Sequence, residues 1–315
     1  DYIGFGLMAL GLACLELTLD LGQQKDWFAS SFIVFTAVSS AVLIISFVVW
    51  ELYTPEPIVN LRVFLNRNFA VGCALIATVG VVLYGSTALL PLFLQTLLGY
   101  PAVESGMAVS PRGIGAIVSM VIVGRLISRV DSRYLIAFGF CVLTISTHMF
   151  VGLNLYIAQS NIVYPMLISG FAMGFVFVPL TTMTMATLPQ DQIGNASGIY
   201  NLMRNTGGSV GISILAFLLA RGSQVHQAYL TAHTTQYDPA FQQMVDQIKS
   251  SMAGVDSVTA TQQAYQTIYG MLVKQAMVLS YLDCFWILTV MCSLCIPAAF
   301  LFKRVRNAKP VEGAH

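Results

Sequence analysis

Ionisable side chains interrupt otherwise apolar stretches of this sequence at five positions: Glu16, Asp20, Arg112, Arg204 and Asp283. A charge at the centre of a membrane helix costs about 2.5–3.5 kcal/mol on insertion scales. Charged residues in membrane segments therefore usually face a protein interior or a wet cavity, where they bind charged groups or carry protons. We take Arg112, Glu16, Asp20 and Arg204 as the substrate or coupling candidates of this chain.

Two interpretations remain for the acidic pair. Glu16 and Asp20 are four residues apart, so they share one face of a helix. Their mutual repulsion favours protonation of one carboxyl group, which suits a proton carrier. The alternative places both at the outer membrane interface, near Lys25 and Asp26, where they simply meet water.

The other three charges also have competing interpretations. Arg112 follows Pro111 about two turns into its segment, so it either binds an anionic or acidic group within a bundle or extends toward the outer headgroups. Arg204 lies near the predicted cytoplasmic start of its segment, which favours contact with headgroups or a loop over contact with a ligand. Asp283 lies near the outer end of the last segment, where exposure at the interface is expected.

The sequence contains none of the motifs typical of soluble catalysis. There is no GxxxxGK[ST], no HExxH and no GxSxG, and the four histidines are scattered without ligand spacing. We therefore expect no catalytic residue, no metal site and no cofactor. Energy then comes from an ion gradient, or the protein is a passive channel or scaffold.

The composition indicates an integral membrane protein made of helices. Hydrophobic residues make up 57% and charged residues only 9% of the 315 residues, against roughly 25% charged in soluble domains. A net charge of +1 gives no basic excess for binding nucleic acid. The six cysteines lie in apolar runs, where packing is their expected role.

Eight apolar stretches are long enough to cross about 30 Å of hydrocarbon. They are continuously apolar and longer than barrel strands, so they predict helices. The predicted spans are 2–21, 32–50, 69–98, 106–123, 134–156, 162–188, 197–220 and 277–302.

Basic residues predict the orientation of these spans. Lys303, Arg304, Arg306 and Lys309 follow the last span, so the C-terminus is predicted to be cytoplasmic. Because eight is an even number of crossings, the N-terminus is then predicted to be on the same side. One long loop, 222–273, is left on the outer side.

Apolar residues recur within this loop at the spacing of an amphipathic helix. A second stretch, 258–269, is expected to extend the last span outward. The loop is either a solvated helical cap, or a docking surface for a partner or a gate over the exit. The apolar positions of the amphipathic pattern are Phe241, Met244, Val245, Ile248 and Met252.

Several segments together resemble a known family. GRLISRVDSRY, at 124–134, is similar to the degenerate loop motif of the major facilitator superfamily, with Ser128 and Ser132 departing from its pattern. Further segments resemble fourteen-span drug:proton antiporters of the EmrB/QacA type, in order along the whole chain. They are LDLGQQKDWF at 19–28, WELYTPEPIVNLRVF at 50–64, LPLFLQTLLGYPAVESGMAVSPRGIG at 90–115, GFAMGFVFVPLTTMT at 170–184 and GNASGIYNLMRNTGGSVG at 194–211.

The resemblance implies an all-α integral membrane fold with two inserted helices followed by the C-terminal six-helix bundle. The implied divisions are 1–53 for the inserted pair, 54–68 for a cytoplasmic connection, 69–302 for the bundle and 303–315 for a cytoplasmic tail. The N-terminal six-span bundle, which carries most coupling acids in this family, is expected to be missing here. The loop motif implies a latch that stabilises one access state, formed by Gly124, Arg125, Arg129, Asp131 and Arg133.

The implied function is part of a proton-coupled efflux carrier in the plasma (inner) membrane. It would export lipophilic drugs or hydrophobic weak acids by alternating access, with the proton gradient as its energy source. If the source is Gram-negative, the resemblance also implies a periplasmic adaptor protein and an outer-membrane channel as partners. A truncated, non-transporting remnant or membrane scaffold, and an importer of the same fold, remain as alternatives.

Overall fold

The computed structural model of this protein describes residues 1–54, 57, 59–251 and 256–303, and these residues form helices and connections without any β-strand. Some predicted features lie outside the described residues: the tail 304–315, three residues of the 54–68 connection, and Met252 of the amphipathic pattern.

The described residues contain ten α-helices, numbered here in chain order. Eight helical stretches among them are long and apolar enough to cross a membrane, and α4 and α5 together form one of these. The helices are α1 Tyr2–Gly22, α2 Ser31–Tyr53, α3 Arg67–Thr96, α4 Ala102–Val109, α5 Pro111–Leu126, α6 Ser132–Met149, α7 Ser160–Met185, α8 Ile193–His233, α9 Pro239–Ser250 and α10 Ser257–Ala298. The all-helical membrane fold expected from the apolar stretches is confirmed.

Polar side chains define where several helices begin. The side chain of Asn66 accepts hydrogen bonds from the backbone N–H groups of Asn68 and Phe69 at the start of α3. Asp131, Asp238 and Asp256 cap α6, α9 and α10 in the same way. Each cap satisfies backbone donors that have no partner within the helix.

Six membrane stretches form a bundle around one large apolar core. In this bundle α3 packs on α8, α5 on α7, α6 on both α7 and α10, and α10 on α8. The core is built mainly from buried side chains of α3, α6, α7, α8 and α10. Helices α1 and α2 pair with each other, and α1 contacts the bundle through α8.

Small residues allow the closest helix crossings. A Cβ atom on Gly170 of α7 would collide with the backbone carbonyl of Arg112 in α5, and one on Gly207 of α8 would collide with that of Ala77 in α3. These are close approaches of the kind that small residues permit between membrane helices. Gly113, by contrast, has open space where its Cβ would lie.

Helices α8 and α10 are much longer than the spans predicted for them. They contain 41 and 42 residues, which corresponds to about 60 Å each at 1.5 Å per residue, twice the hydrocarbon thickness. Most of the predicted loop 222–273 is therefore helical and continuous with these two spans. The expected outward extension by 258–269 is observed, because these residues form the first turns of α10.

Helix α9 folds back against α10 beyond the predicted outer membrane surface. Val245 of α9 is buried together with Ala264 and Ile268 of α10, and the rings of Phe241 and Tyr265 stack with centroids 5.7 Å apart. The predicted amphipathic helix is thus present and packs most of its apolar positions against α10, whereas Met244 is 44% exposed. We call residues 222–251 and 256–276 the helical cap.

Candidate functional site

Arg112 lies in the first turn of α5 and extends its guanidinium into the bundle. Nη1 donates to Thr87 Oγ1 at 2.7 Å and to the Leu83 carbonyl at 3.4 Å. Nη2 donates to Ser86 Oγ at 3.2 Å and to Ser169 Oγ at 3.0 Å. Three helices, α3, α5 and α7, therefore meet at this side chain.

The hydroxyl groups around Arg112 are oriented by the backbone of α3. Ser86 donates its hydroxyl proton to the Val82 carbonyl at 2.6 Å, and Thr87 donates to the Leu83 carbonyl at 2.6 Å. Their oxygen lone pairs are therefore free to accept from the guanidinium. The helix backbones thus hold the acceptors in place for the cation.

The hydrogen bonds of Arg112 run to α3 and α7, so its guanidinium lies against these helices and does not extend outward along α5. Arg112 lies ten residues after the start of the stretch Ala102–Leu126, which divides into α4 and α5 just before Pro111. Ser169 is nine residues after the start of α7, at a similar depth. The guanidinium therefore points inward, toward α3 and α7.

The positive charge of Arg112 has no carboxylate partner among the described residues. The ion pair found in that part of the chain joins His226 to Asp283 instead. The Nε atom of Arg112 is also buried without a hydrogen-bond partner. Hydroxyl and carbonyl dipoles alone compensate this cation, so an anionic group that reached it would gain a charge-assisted interaction.

Glu16 faces the bundle, whereas Asp20 is exposed. The Ser209 hydroxyl of α8 donates to Glu16 Oε2 at 2.5 Å, and one turn further the Ser213 hydroxyl donates to the Leu19 carbonyl at 3.1 Å. The two acids of the predicted pair thus lie in different surroundings. Glu16 is part of the contact between α1 and α8, and Asp20 is not.

Arg204 lies on α8 at its crossing with α3. A Cβ atom on Gly80 of α3 would collide with the backbone carbonyl of Arg204. The Nε atom of Arg204 is buried without a hydrogen-bond partner. The neighbouring Asn205 accepts a hydrogen bond from the Tyr84 hydroxyl of α3 at 3.3 Å. Arg204 and Arg112 therefore both pack against α3, through Gly80 and Leu83, about one turn apart along that helix.

The loop-motif residues lie around the turn between α5 and α6. Gly124, Arg125 and Arg129 are exposed, and the half-buried Arg133 has its Nε and Nη2 atoms buried without a hydrogen-bond partner. Asp131 accepts from the backbone N–H of Arg133 at 3.1 Å and so caps α6. The carboxylate of Asp131 thereby lies at the positive end of α6. The role of these residues as a latch stays a prediction.

Several contacts were not predicted from the sequence. The hydroxyl partners of Arg112 and Glu16 belong to distant helices, and the sequence carried no signal beyond single Ser and Thr residues in apolar runs. His226 Nε2 and Asp283 Oδ2 are 2.6 Å apart. The spacing of the histidines along the sequence did not indicate this partner for His226. Asp283 is exposed, as expected, with 61% of its side chain accessible.

The described part of the chain contains no group of three or more His, Cys, Asp or Glu side chains that could hold a metal ion. The arrangement around Arg112 instead offers a fixed cation, hydroxyl groups and small residues at a helix crossing. These groups can bind an anionic solute through charge-assisted hydrogen bonds.

Comparison with known proteins supports the resemblance. The sequence model of the family described as Major Facilitator Superfamily matches residues 2–212. The chain is 33% identical over 288 residues to "Multidrug export protein EmrB" of Haemophilus influenzae, which covers 91% of this chain and 55% of that protein. It is 32% identical over 291 residues to the protein of the same name from Escherichia coli (strain K12), covering 91% of this chain and 55% of that protein.

A third relative is named for resistance to fatty acids. The chain is 32% identical over 272 residues to "Fatty acid resistance protein FarB" of Neisseria gonorrhoeae, covering 84% of this chain and 54% of that protein. The chain thus spans about half the length of the curated relatives it matches.

Proposed function

The chain belongs to the Major Facilitator Superfamily, and we propose that it forms part of an exporter for lipophilic drugs or hydrophobic weak acids. In such a transporter two helix bundles rock about a substrate site near mid-membrane, so that the site opens to each side in turn. The six-helix bundle described above would supply one wall of that site. The names of the relatives, for multidrug export and fatty acid resistance, support this proposal.

The position of Arg112 is the observation that carries the proposal. A half-buried arginine without a carboxylate partner is costly in a membrane protein. Its charge can attract the anionic group of a weak acid or an anionic drug. The apolar surroundings of α3 and α7 would accommodate the lipophilic remainder of such a compound.

Proton coupling is the second part of the proposal. The chain belongs to a family of membrane transporters, and the sequence contains no motif for hydrolysing a nucleotide. A proton gradient is therefore proposed as the energy source, which makes the transporter an antiporter. Glu16 is the candidate carrier in the described residues, because its carboxylate lies between α1 and α8 and is bonded to the Ser209 hydroxyl.

The helical cap is the proposed contact for a periplasmic adaptor protein, which would connect the exporter to an outer-membrane channel. Large apolar side chains are exposed on the cap and its connections: Tyr229 by 62%, Tyr237 by 81% and Val258 by 75%. We propose the two tyrosines in particular as contacts, because tyrosine is enriched at protein interfaces.

The experiment that tests the proposal is a transport panel with the full-length product of the gene that encodes this chain. Cells that lack their own exporters are loaded with an anionic and a cationic lipophilic dye, with and without a compound that collapses the proton gradient. We expect energised loss of dye that stops on collapse of the gradient. Enhanced uptake of dye would instead indicate an importer. If the gene product does not change the movement of dye, it is a non-transporting remnant or scaffold.

A further inference from the structure

An open groove lies between the helical cap and the outer end of the bundle. Its volume is about 660 Å³, which falls within the range of small-molecule sites. Its floor comes from the chain just after α3 and from the connection between α6 and α7, and its roof from α8, α9 and α10. The side chains that line the groove include Leu97, Leu155, Phe241, Met244, Met271 and Lys274.

The walls of the groove are mainly apolar and adaptable. Leu97 and Leu155 come from the bundle side, whereas Phe241 and Met244 come from α9 and Met271 from α10. Methionine side chains are flexible and polarisable, so they fit irregular hydrocarbon shapes. A long or branched apolar chain is therefore the kind of group that these walls accommodate.

The two charged side chains of the groove are not equivalent. Asp238 accepts a hydrogen bond from the Ala240 N–H at 2.9 Å and caps α9, so the positive end of that helix compensates its charge. Lys274 has no carboxylate within 4.0 Å in the part of the chain that the structure describes, where the ion pair is that of His226 and Asp283. The uncompensated charge in the groove is therefore positive.

We infer that this groove binds a lipophilic carboxylate, with its hydrocarbon part against Met244 and Met271 and its carboxylate beside Lys274. The inference rests on the proposed export of hydrophobic weak acids, and it adds a second binding site on the predicted outer side, with none of the residues that contact Arg112 in its lining. A compound that leaves the membrane bundle there would be held before release.

The test is a binding measurement on the full-length gene product in phosphatidylcholine nanodiscs. The probe is 11-(dansylamino)undecanoic acid, and its methyl ester is the uncharged comparison. Fluorescence titration should show about fivefold tighter binding of the acid, the size expected for one partly exposed ion pair. Lys274→Gln, made together with Arg112→Ala so that the arginine in the bundle cannot supply the same preference for the acid, should remove it, and Lys274→Arg in the same background should keep it.

Two further variants locate the site. Lys249→Gln removes a lysine in the last turn of α9 that does not line the groove, and it should leave both affinities unchanged. Met271→Trp fills the groove and should weaken the acid and the ester alike. Size-exclusion chromatography shows whether each variant keeps its folded state.

The proposal is overturned if the acid and the ester bind equally, if Lys274→Gln in the Arg112→Ala background leaves the preference intact, or if Met271→Trp leaves binding unchanged. Absence of binding, as expected if the groove receives a protein segment instead, also overturns it. Because this measurement involves no transport, its failure is distinguishable from failure of the export proposal, which the dye panel tests separately.

Discussion

The guanidinium of Arg112 donates to the hydroxyl of Ser169 at 3.0 Å and so joins α5 to α7. One residue along α7, Gly170 lies against the backbone carbonyl of Arg112. The close helix crossing and the position of the cation therefore depend on each other.

Removing the charge of Arg112 should impair the export of anionic compounds selectively. Arg112→Ala in the full-length product is expected to lower export of an anionic dye about tenfold, which corresponds to the loss of about 1.4 kcal/mol of charge-assisted binding. Export of a cationic dye of similar lipophilicity should change much less. Arg221→Ala removes an exposed arginine of α8 and is the matched control. Equal losses for both dyes would indicate a structural role for Arg112.

A larger residue at the α5–α7 crossing should destabilise the bundle. Gly170→Ala places a methyl group against the Arg112 carbonyl, and overpacking of this kind typically costs about 1–3 kcal/mol. Thermal unfolding of the purified protein measures the loss. Gly113→Ala, on α5 where a Cβ has open space, should leave the stability unchanged or slightly raised. The crossing would not be tight if both variants behaved alike.

The two acids of α1 should differ in their effect on proton coupling. Glu16→Gln is expected to abolish substrate-induced proton movement, because Glu16 faces α8, whereas Asp20→Asn should leave it intact because Asp20 is exposed. A pH-sensitive dye in proteoliposomes measures the movement. Ser209→Ala removes the hydrogen bond but keeps the acid, and it should reduce coupling only in part. Full coupling in Glu16→Gln would exclude this residue as a carrier.

Exposed apolar residues of the cap should be needed for binding of the adaptor. The double change Tyr237→Ser and Val258→Ser is expected to reduce the amount of adaptor that co-purifies, by about fivefold or more if these residues lie at the centre of the contact. Leu65→Ser changes a residue that is 87% exposed on the predicted opposite side of the membrane, and it serves as control. Unchanged co-purification in the double variant would exclude this surface.

The sequence predicted the membrane helices well, because each crossing requires an uninterrupted apolar run and such runs are visible without knowledge of contacts. It underestimated α8, since the extension 221–233 leaves the apolar environment and loses that signal, whereas the extension of α10 by 258–269 was expected. The break at Pro111 between α4 and α5 was not predicted either. Proline supplies no backbone N–H, so the helical bonding starts anew there.

The candidate site was predictable only as single residues. Arg112 and Glu16 were identified because charges are rare in membrane segments, but their partners could not be named. Ser169 is 57 residues away from Arg112 along the chain, and Ser209 is 193 residues away from Glu16. Such pairs depend on which helices pack together, and a serine in an apolar run carries no information about its neighbour.

The most direct test of the account is energised export by the full-length product of the gene in cells that lack their own exporters. The measurement is the rate at which an anionic lipophilic dye leaves loaded cells, before and after collapse of the proton gradient. The account predicts faster loss of dye than in cells without the gene, and no difference between the two once the gradient is collapsed. Loss at the same rate with and without the gene, or faster accumulation of dye, would contradict it.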